Sequence, residues 1–218
     1  YKGFAYTLYN LIPTIASVIG VSALPAVTTA WVKRDRKNLR INIESVMRIT
    51  ALVAFPTGLG ISVLSRGIID LLYSSREPYM IIIATPLLRV MGITAMLSSF
   101  CLPLTSILQA IGKQFIPVRN LLIGAGVKGI ISFILVGIPS ININGAPYGT
   151  LVCYLVIVLL NFISVCKYTH FIPNLMSVFI KPLVCAGLCG LTAGVGNWIL
   201  SGHISENLTT IISIGAAG

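Results

Sequence analysis

Carboxylates are what this chain most lacks. Its 218 residues include five, Asp35, Glu44, Asp70, Glu77 and Glu206, against fifteen Lys and Arg. All five lie in expected loops or near the ends of apolar runs, so no two are placed for paired acid–base work. Histidine is as scarce, with His170 and His203 both at run ends. The five cysteines, Cys101, Cys153, Cys166, Cys185 and Cys189, form no C-x-x-C. Cys185 and Cys189 share a helical face, but the neighbouring Cys, His or carboxylate ligands that zinc requires are missing. The cysteines therefore read as small packing residues. Gly124-Ala125-Gly126-Val127-Lys128-Gly129 fits G-x-G-x-x-G, yet it lies inside an apolar run with no acidic residue at the needed distance, so it is not a dinucleotide site. No secretory signal peptide is recognisable. These absences set the expectation of a non-enzyme with no metal, no cofactor and no catalytic residue.

Charge of either sign is also low, at 9 % of residues. A net charge of +10 would suggest nucleic acid in a soluble protein. Here the segments between the cations are too apolar for that partner. What is present in quantity is apolar length: 56 % of residues are hydrophobic, and the mean hydropathy is +0.96. About 20 consecutive apolar residues cross a bilayer as a helix. The sequence predicts six such spans, at about 4–32, 43–65, 79–111, 119–138, 146–166 and 175–200, with a seventh beginning near Leu208. The fold class is all-α, a polytopic transmembrane bundle. The chain starts Tyr1-Lys2-Gly3 and stops inside an apolar run, so both ends read as cut within a longer protein.

Lys33-Arg34-Asp35-Arg36-Lys37-Asn38-Leu39-Arg40 follows the first span and places that loop in the cytoplasm by the positive-inside rule. Threading onward assigns Lys113, Arg119, Lys167 and Lys181 to the same side and only Lys2, Arg66 and Arg76 to the other. Arg48, Arg89 and Lys128 remain inside spans.

A cation within a span is costly and marks a polar cavity or a substrate path by default. Lys128 lies nine residues into its predicted span, about 14 Å deep at 1.5 Å per residue. Arg89 stands ten residues into the third span, just after Pro86. Arg48 sits nearer the cytoplasmic end, with Glu44 four residues before it in the favourable ion-pair orientation. Small and polar residues recur at helical spacing beside these cations: Arg89, Gly92, Ser99, Ser106 and Lys113 in one span, Asn120, Gly124, Lys128 and Ser132 in another. Such stripes suit either a cavity wall or close helix packing. The candidate substrate-binding set is Arg89, Lys128, Arg48, Asn120 and Ser99. Pro13, Pro25, Pro56, Pro86 and Pro103 fall inside spans, as in the broken helices of transporters.

The chain resembles the C-terminal half of polysaccharide exporters in the multidrug/oligosaccharidyl-lipid/polysaccharide flippase superfamily. Within it, the stage V sporulation protein B group and the related lipid II flippases are most similar. The residues that carry this are Asn10-Leu11-Ile12-Pro13, Ala23-Leu24-Pro25, Pro56-Thr57-Gly58-Leu59 and Ile68-Ile69-Asp70-Leu71-Leu72-Tyr73. The most specific run is Ile107-Leu108-Gln109-Ala110-Ile111-Gly112-Lys113 through Pro117-Val118-Arg119-Asn120 to Gly124, followed by Lys128, Gly137-Ile138-Pro139, Gly145-Ala146 and Gly149-Thr150. The resemblance covers nearly all of 1–205. It implies a MATE-like C-terminal six-helix lobe over 1–205 and the start of a further helix over 206–218, with the N-terminal half of the same protein as partner. It further implies alternating access around a central cavity, in which Lys128 falls where the group tends to carry a Lys. The chain departs from lipid II flippases in having no Arg near Tyr6, and from the general pattern at Pro147.

The function so implied is the flipping of a lipid-linked oligosaccharide or peptidoglycan precursor across the bacterial cytoplasmic membrane. The lipid bilayer and a pyrophosphate-bearing lipid would be partners. Two alternatives stand beside it. A cation-coupled multidrug exporter would favour buried carboxylates, which are scarce here. A non-transporting scaffold for wall or spore-envelope synthesis would need no cavity.

Overall fold

The computed structural model describes residues 5–73, 78–136, 145–171, 173–174 and 176–188. Among these the chain is helical, in the order α1 (Ala5–Val32), α2 (Arg36–Val63), α3 (Ser65–Tyr73), α4 (Pro78–Ala110), α5 (Phe115–Val136) and α6 (Gly145–Thr169). A π-helical turn at Met176–Ile180 then leads into α7, an apolar helix over Val178–Leu188. Five helices, α1, α2, α4, α5 and α6, are long and apolar enough to span a membrane. The sixth expected span is described only to residue 188, and the seventh lies outside the described residues.

The helices begin earlier than hydropathy alone suggested. α2 starts at Arg36, where the Asp35 cap rather than apolar content sets the end, and α5 starts at Phe115, just after the turn that closes α4. α1 closes with a Schellman motif: the Arg34 N–H donates to the Trp31 carbonyl (3.1 Å) and the Asp35 N–H to the Ala30 carbonyl (3.0 Å). Asp35 then caps α2 at once, its carboxylate accepting from the Asn38 backbone N–H at 3.0 Å. α4 ends the same way, through Gly112 N–H to Gln109 (2.9 Å) and Lys113 N–H to Leu108 (2.8 Å). The motif needs a left-handed residue. Gly112 supplies it at φ 77°, whereas the α1 turn uses Arg34 at φ 55°. A side chain there costs about 1 kcal/mol or more.

The expected broken helices are absent among the described spans. α1 runs through Pro13 and Pro25, α2 through Pro56, and α4 through Pro86 and Pro103. Pro147 sits in the first turn of α6, where its missing N–H is no loss.

α4 is the central helix, packed by α1, α2 and α6; α5 is held mainly by α6. Lipid offers no hydrophobic drive for helix association, so close approach at small residues and interhelical hydrogen bonds must supply it. Gly20 of α1 lies against Pro103 and Ser106 of α4, and Gly58 of α2 against Gly92 and Met96. Gly124 of α5 meets Ile157, and Gly149 of α6 meets Ser132. One aromatic cluster ties α2, α4, α6 and α7 together. Phe179, in the π-helical turn, touches Phe55, Phe100 and Phe162 at ring separations of 6.3, 5.2 and 6.2 Å.

Candidate functional site

The five residues singled out in the sequence fall into two groups. Arg48, Arg89 and Lys128 have exposed side chains, whereas Ser99 and Asn120 have none of their surface exposed. The Ser99 hydroxyl donates to the Ala95 carbonyl of its own helix at 2.7 Å. Gly92 and Ser106, on the same stripe, face α2 and α1. That part of the α4 stripe is a packing seam.

The α5 stripe is a seam too. Asn120 Nδ2 donates to Asn161 Oδ1 at 2.8 Å and approaches Ser164 Oγ at 3.5 Å. Each step of four along α5 meets a step back along α6: Asn120 with Asn161, Gly124 with Ile157 and Cys153, Ser132 with Gly149. Asn120 Oδ1 and Asn161 Nδ2 are left without a protein partner. Asn161 was not anticipated from the sequence. Its signal was available, since it lies in an apolar run where a lone amide needs a partner.

Lys128 lies along this seam, within electrostatic reach of Cys153, with its side chain turned outward. α5 extends 22 residues, which at 1.5 Å per residue puts Lys128 roughly 4 Å from its midpoint. It is also the least covered span, with 11 % of its apolar stretch buried against 61 % for α4. Arg89 is shallower than the sequence suggested. Its carbonyl accepts from Ser62 Oγ at 3.1 Å, and α2 ends one residue later at Val63. Arg89 thus stands level with the end of α2 farthest from the basic loop, rather than mid-span. Arg48 lies near the middle of α2, roughly 2 Å from its midpoint at 1.5 Å per residue.

Glu44 and Arg48 interact electrostatically, as their spacing suggested, but the carboxylate makes its hydrogen bonds elsewhere. Glu44 Oε1 accepts from Arg40 Nε at 2.9 Å and from the Asn174 backbone N–H at 3.1 Å, and Arg48 acts on the same carboxylate electrostatically. This carboxylate therefore ties the start of α2 to the connector between α6 and α7. Arg40 also lies 6.0 Å over the Phe171 ring, and Lys113 Nζ lies 5.1 Å over Tyr168. Together with the α1–α4 crossing at Gly20 and Pro103, these contacts bring the α1–α2 turn, the α4–α5 turn and the end of α6 to one face. The basic loops assigned to one side by charge are thus neighbours in space. Among the described residues no cluster of His, Cys, Asp or Glu is arranged to hold a metal.

The five apolar helices of spanning length define a multi-pass α-helical membrane protein. The MatE family description matches residues 2–135, more than half of the sequence. The chain belongs to the MatE family. It is 25 % identical over 193 residues to "Lipid II flippase MurJ" of Bacillus subtilis (88 % of this chain, 35 % of the relative). It is 27 % identical over 165 residues to "Stage V sporulation protein B" of the same organism (76 % and 31 %). It is 25 % identical over 156 residues to an uncharacterised membrane protein, MJ1068, of Methanocaldococcus jannaschii (72 % and 30 %). The chain spans about a third of the length of these relatives. No solved structure matches it significantly.

Proposed function

We propose that the full-length protein flips a lipid-linked oligosaccharide or peptidoglycan precursor across the bacterial cytoplasmic membrane by alternating access. The observation that carries this reading is Lys128, a cation near the middle of an exposed span. On insertion scales a Lys at the centre of a membrane helix costs about 2.5–3.5 kcal/mol. A hydrated, anion-bearing cargo offsets that cost, and a pyrophosphate headgroup suits an ammonium. Arg48 and Lys128 stand at similar depth from the basic face and Arg89 lies farther out, so the headgroup passes from the first two cations to the third while its lipid tail stays in the bilayer. Asn120 holds α5 to α6, Ser99 is buried with its hydroxyl bonded within α4, and both support this path without touching the cargo. An inside-negative potential pushes an anionic headgroup outward by about 2.3 kcal/mol per charge per 100 mV. The N-terminal half supplies the facing wall. Similarity to proteins named for lipid II flipping and for sporulation supports the reading.

The test is charge reversal in the full-length protein. Lys128→Glu and Arg89→Glu should each lower precursor translocation roughly 10- to 150-fold, the worth of one charge-assisted hydrogen bond of about 1.5–3 kcal/mol. Lys128→Arg should retain most of it. Unchanged translocation in both reversals defeats the assignment.

A further inference from the structure

We propose that the turn joining α1 and α2 is a rigid cationic platform that binds the headgroup of an anionic phospholipid of the surrounding bilayer. Three observations converge on it. The first is depth. Trp31, exposed in the last turn of α1, is the kind of residue that sits at headgroup level, and Lys33 and Arg34 follow directly. Only residues 33–35 separate the two spans, so the turn is held against the membrane surface, within reach of lipid and closed to a bulky soluble partner.

The second is uncompensated charge. Lys33, Arg34, Arg36 and Lys37 are exposed, and among the described residues none of them forms a salt bridge. The one carboxylate in the turn, Asp35, has both oxygens engaged by Asn38, at 3.0 Å from its backbone N–H and 2.6 Å from its side-chain amide. The next acid, Glu44, is taken by Arg40 and Asn174. Four cations therefore surround one ionised carboxylate, which acts on Lys37, and the turn keeps a net excess of three positive charges with no salt bridge among the described residues.

The third is backbone strain. The α1 and α4 turns have the same hydrogen-bond pattern, and the α4 turn places Gly112 in the left-handed position. The α1 turn places Arg34 there, at φ 55°, where its long side chain projects from a fixed point. Glycine would close this turn more easily, and a loop needed only as a connection has no use for an arginine there. Strain held in an exposed turn is consistent with a function for the strained side chain. A headgroup phosphate bridging Arg34 and a neighbouring cation gives it one.

Trp31 is a built-in reporter. In full-length protein with its other tryptophans replaced by Phe, reconstituted into vesicles, quenching of Trp31 by brominated phosphatidylglycerol is compared with quenching by brominated phosphatidylcholine. The expected result is a preference of about tenfold for the anionic lipid at low salt, fading as ionic strength rises. Arg34→Gly should lower the preference about fivefold, the equivalent of about 1 kcal/mol per basic residue at an anionic surface. It should leave thermal stability equal or higher, because strain is relieved. Arg34→Lys should keep the preference. A wild-type protein that does not discriminate between the lipids overturns the proposal, as does an Arg34→Gly variant with unaltered quenching. No transport substrate enters the assay, so its outcome is independent of the flipping reading.

Discussion

The crossing of α2 and α4 gives the sharpest stability test. A Cβ built on Gly92 lies 2.8 Å from the Gly58 carbonyl oxygen and 2.9 Å from the Ser62 backbone nitrogen. Both neighbours are backbone, so no side-chain rotation relieves them. Restoring ordinary contact requires the helices to separate by roughly half an ångström, which loosens dispersion contacts along the crossing. Gly60, on the same α2, is a matched control: nothing lies within 4 Å of its added Cβ. Both Gly→Ala changes gain helix propensity of about 0.8–1.0 kcal/mol, so that gain cancels between them. The difference isolates overpacking, about 1–3 kcal/mol. Gly60→Ala should therefore raise stability slightly, and Gly92→Ala should fall below it by that amount. Equilibrium unfolding of the purified full-length protein in sodium dodecyl sulfate measures both. If Gly92→Ala proves as stable as Gly60→Ala, the close approach of α2 and α4 is refuted.

Two further outcomes follow from particular contacts. Asn120→Leu and Asn161→Leu should each destabilise the α5–α6 pair, and the double-mutant cycle should give a coupling of about 0.6 kcal/mol, at most about 1.7, as for other interhelical hydrogen bonds in lipid; zero coupling denies the Asn120–Asn161 bond. The Asp35 carboxyl is held below its ordinary value of 3.8, first by the Asn38 backbone N–H and then by the Asn38 side-chain amide. A lowered folded pKa contributes stability above the unfolded pKa and loses it as pH falls through the folded one. Protection from hydrogen exchange in the first turn of α2, taken relative to the intrinsic rate at each pH, should therefore fall only on acidification below about pH 4. Asp35→Asn keeps a cap and should flatten that dependence, and an Asn38 protection factor that stays constant through the acid range would contradict the cap.

Much of the architecture was legible in the chain. Long apolar runs located the five described spans. Helix ends were less legible. α2 begins at Arg36 because Asp35 caps it, and α5 begins at Phe115, an 80 % exposed residue that sits beyond the apolar run first assigned to that helix. The prolines pointed to interruptions that the described helices do not have. The placement of the candidate residues was only partly legible. Lys128 is mid-span and exposed as expected, but Arg89 stands level with the far end of α2, and the partner of Glu44 is Arg40.

Sequence by itself determined that this is a multi-pass helical membrane protein with its cations gathered on one side. Transfer of each segment into lipid is a local, additive quantity, and so is the bias of charge across short loops. Tertiary structure alone decided what each polar stripe faces. Gly92, Ser99 and Asn120 read equally well as a cavity wall or a packing seam, since both need small or polar side chains at helical spacing. The choice belongs to the neighbouring helix, residues distant in the chain such as Gly58 and Asn161, and no local pattern encodes which helix that will be.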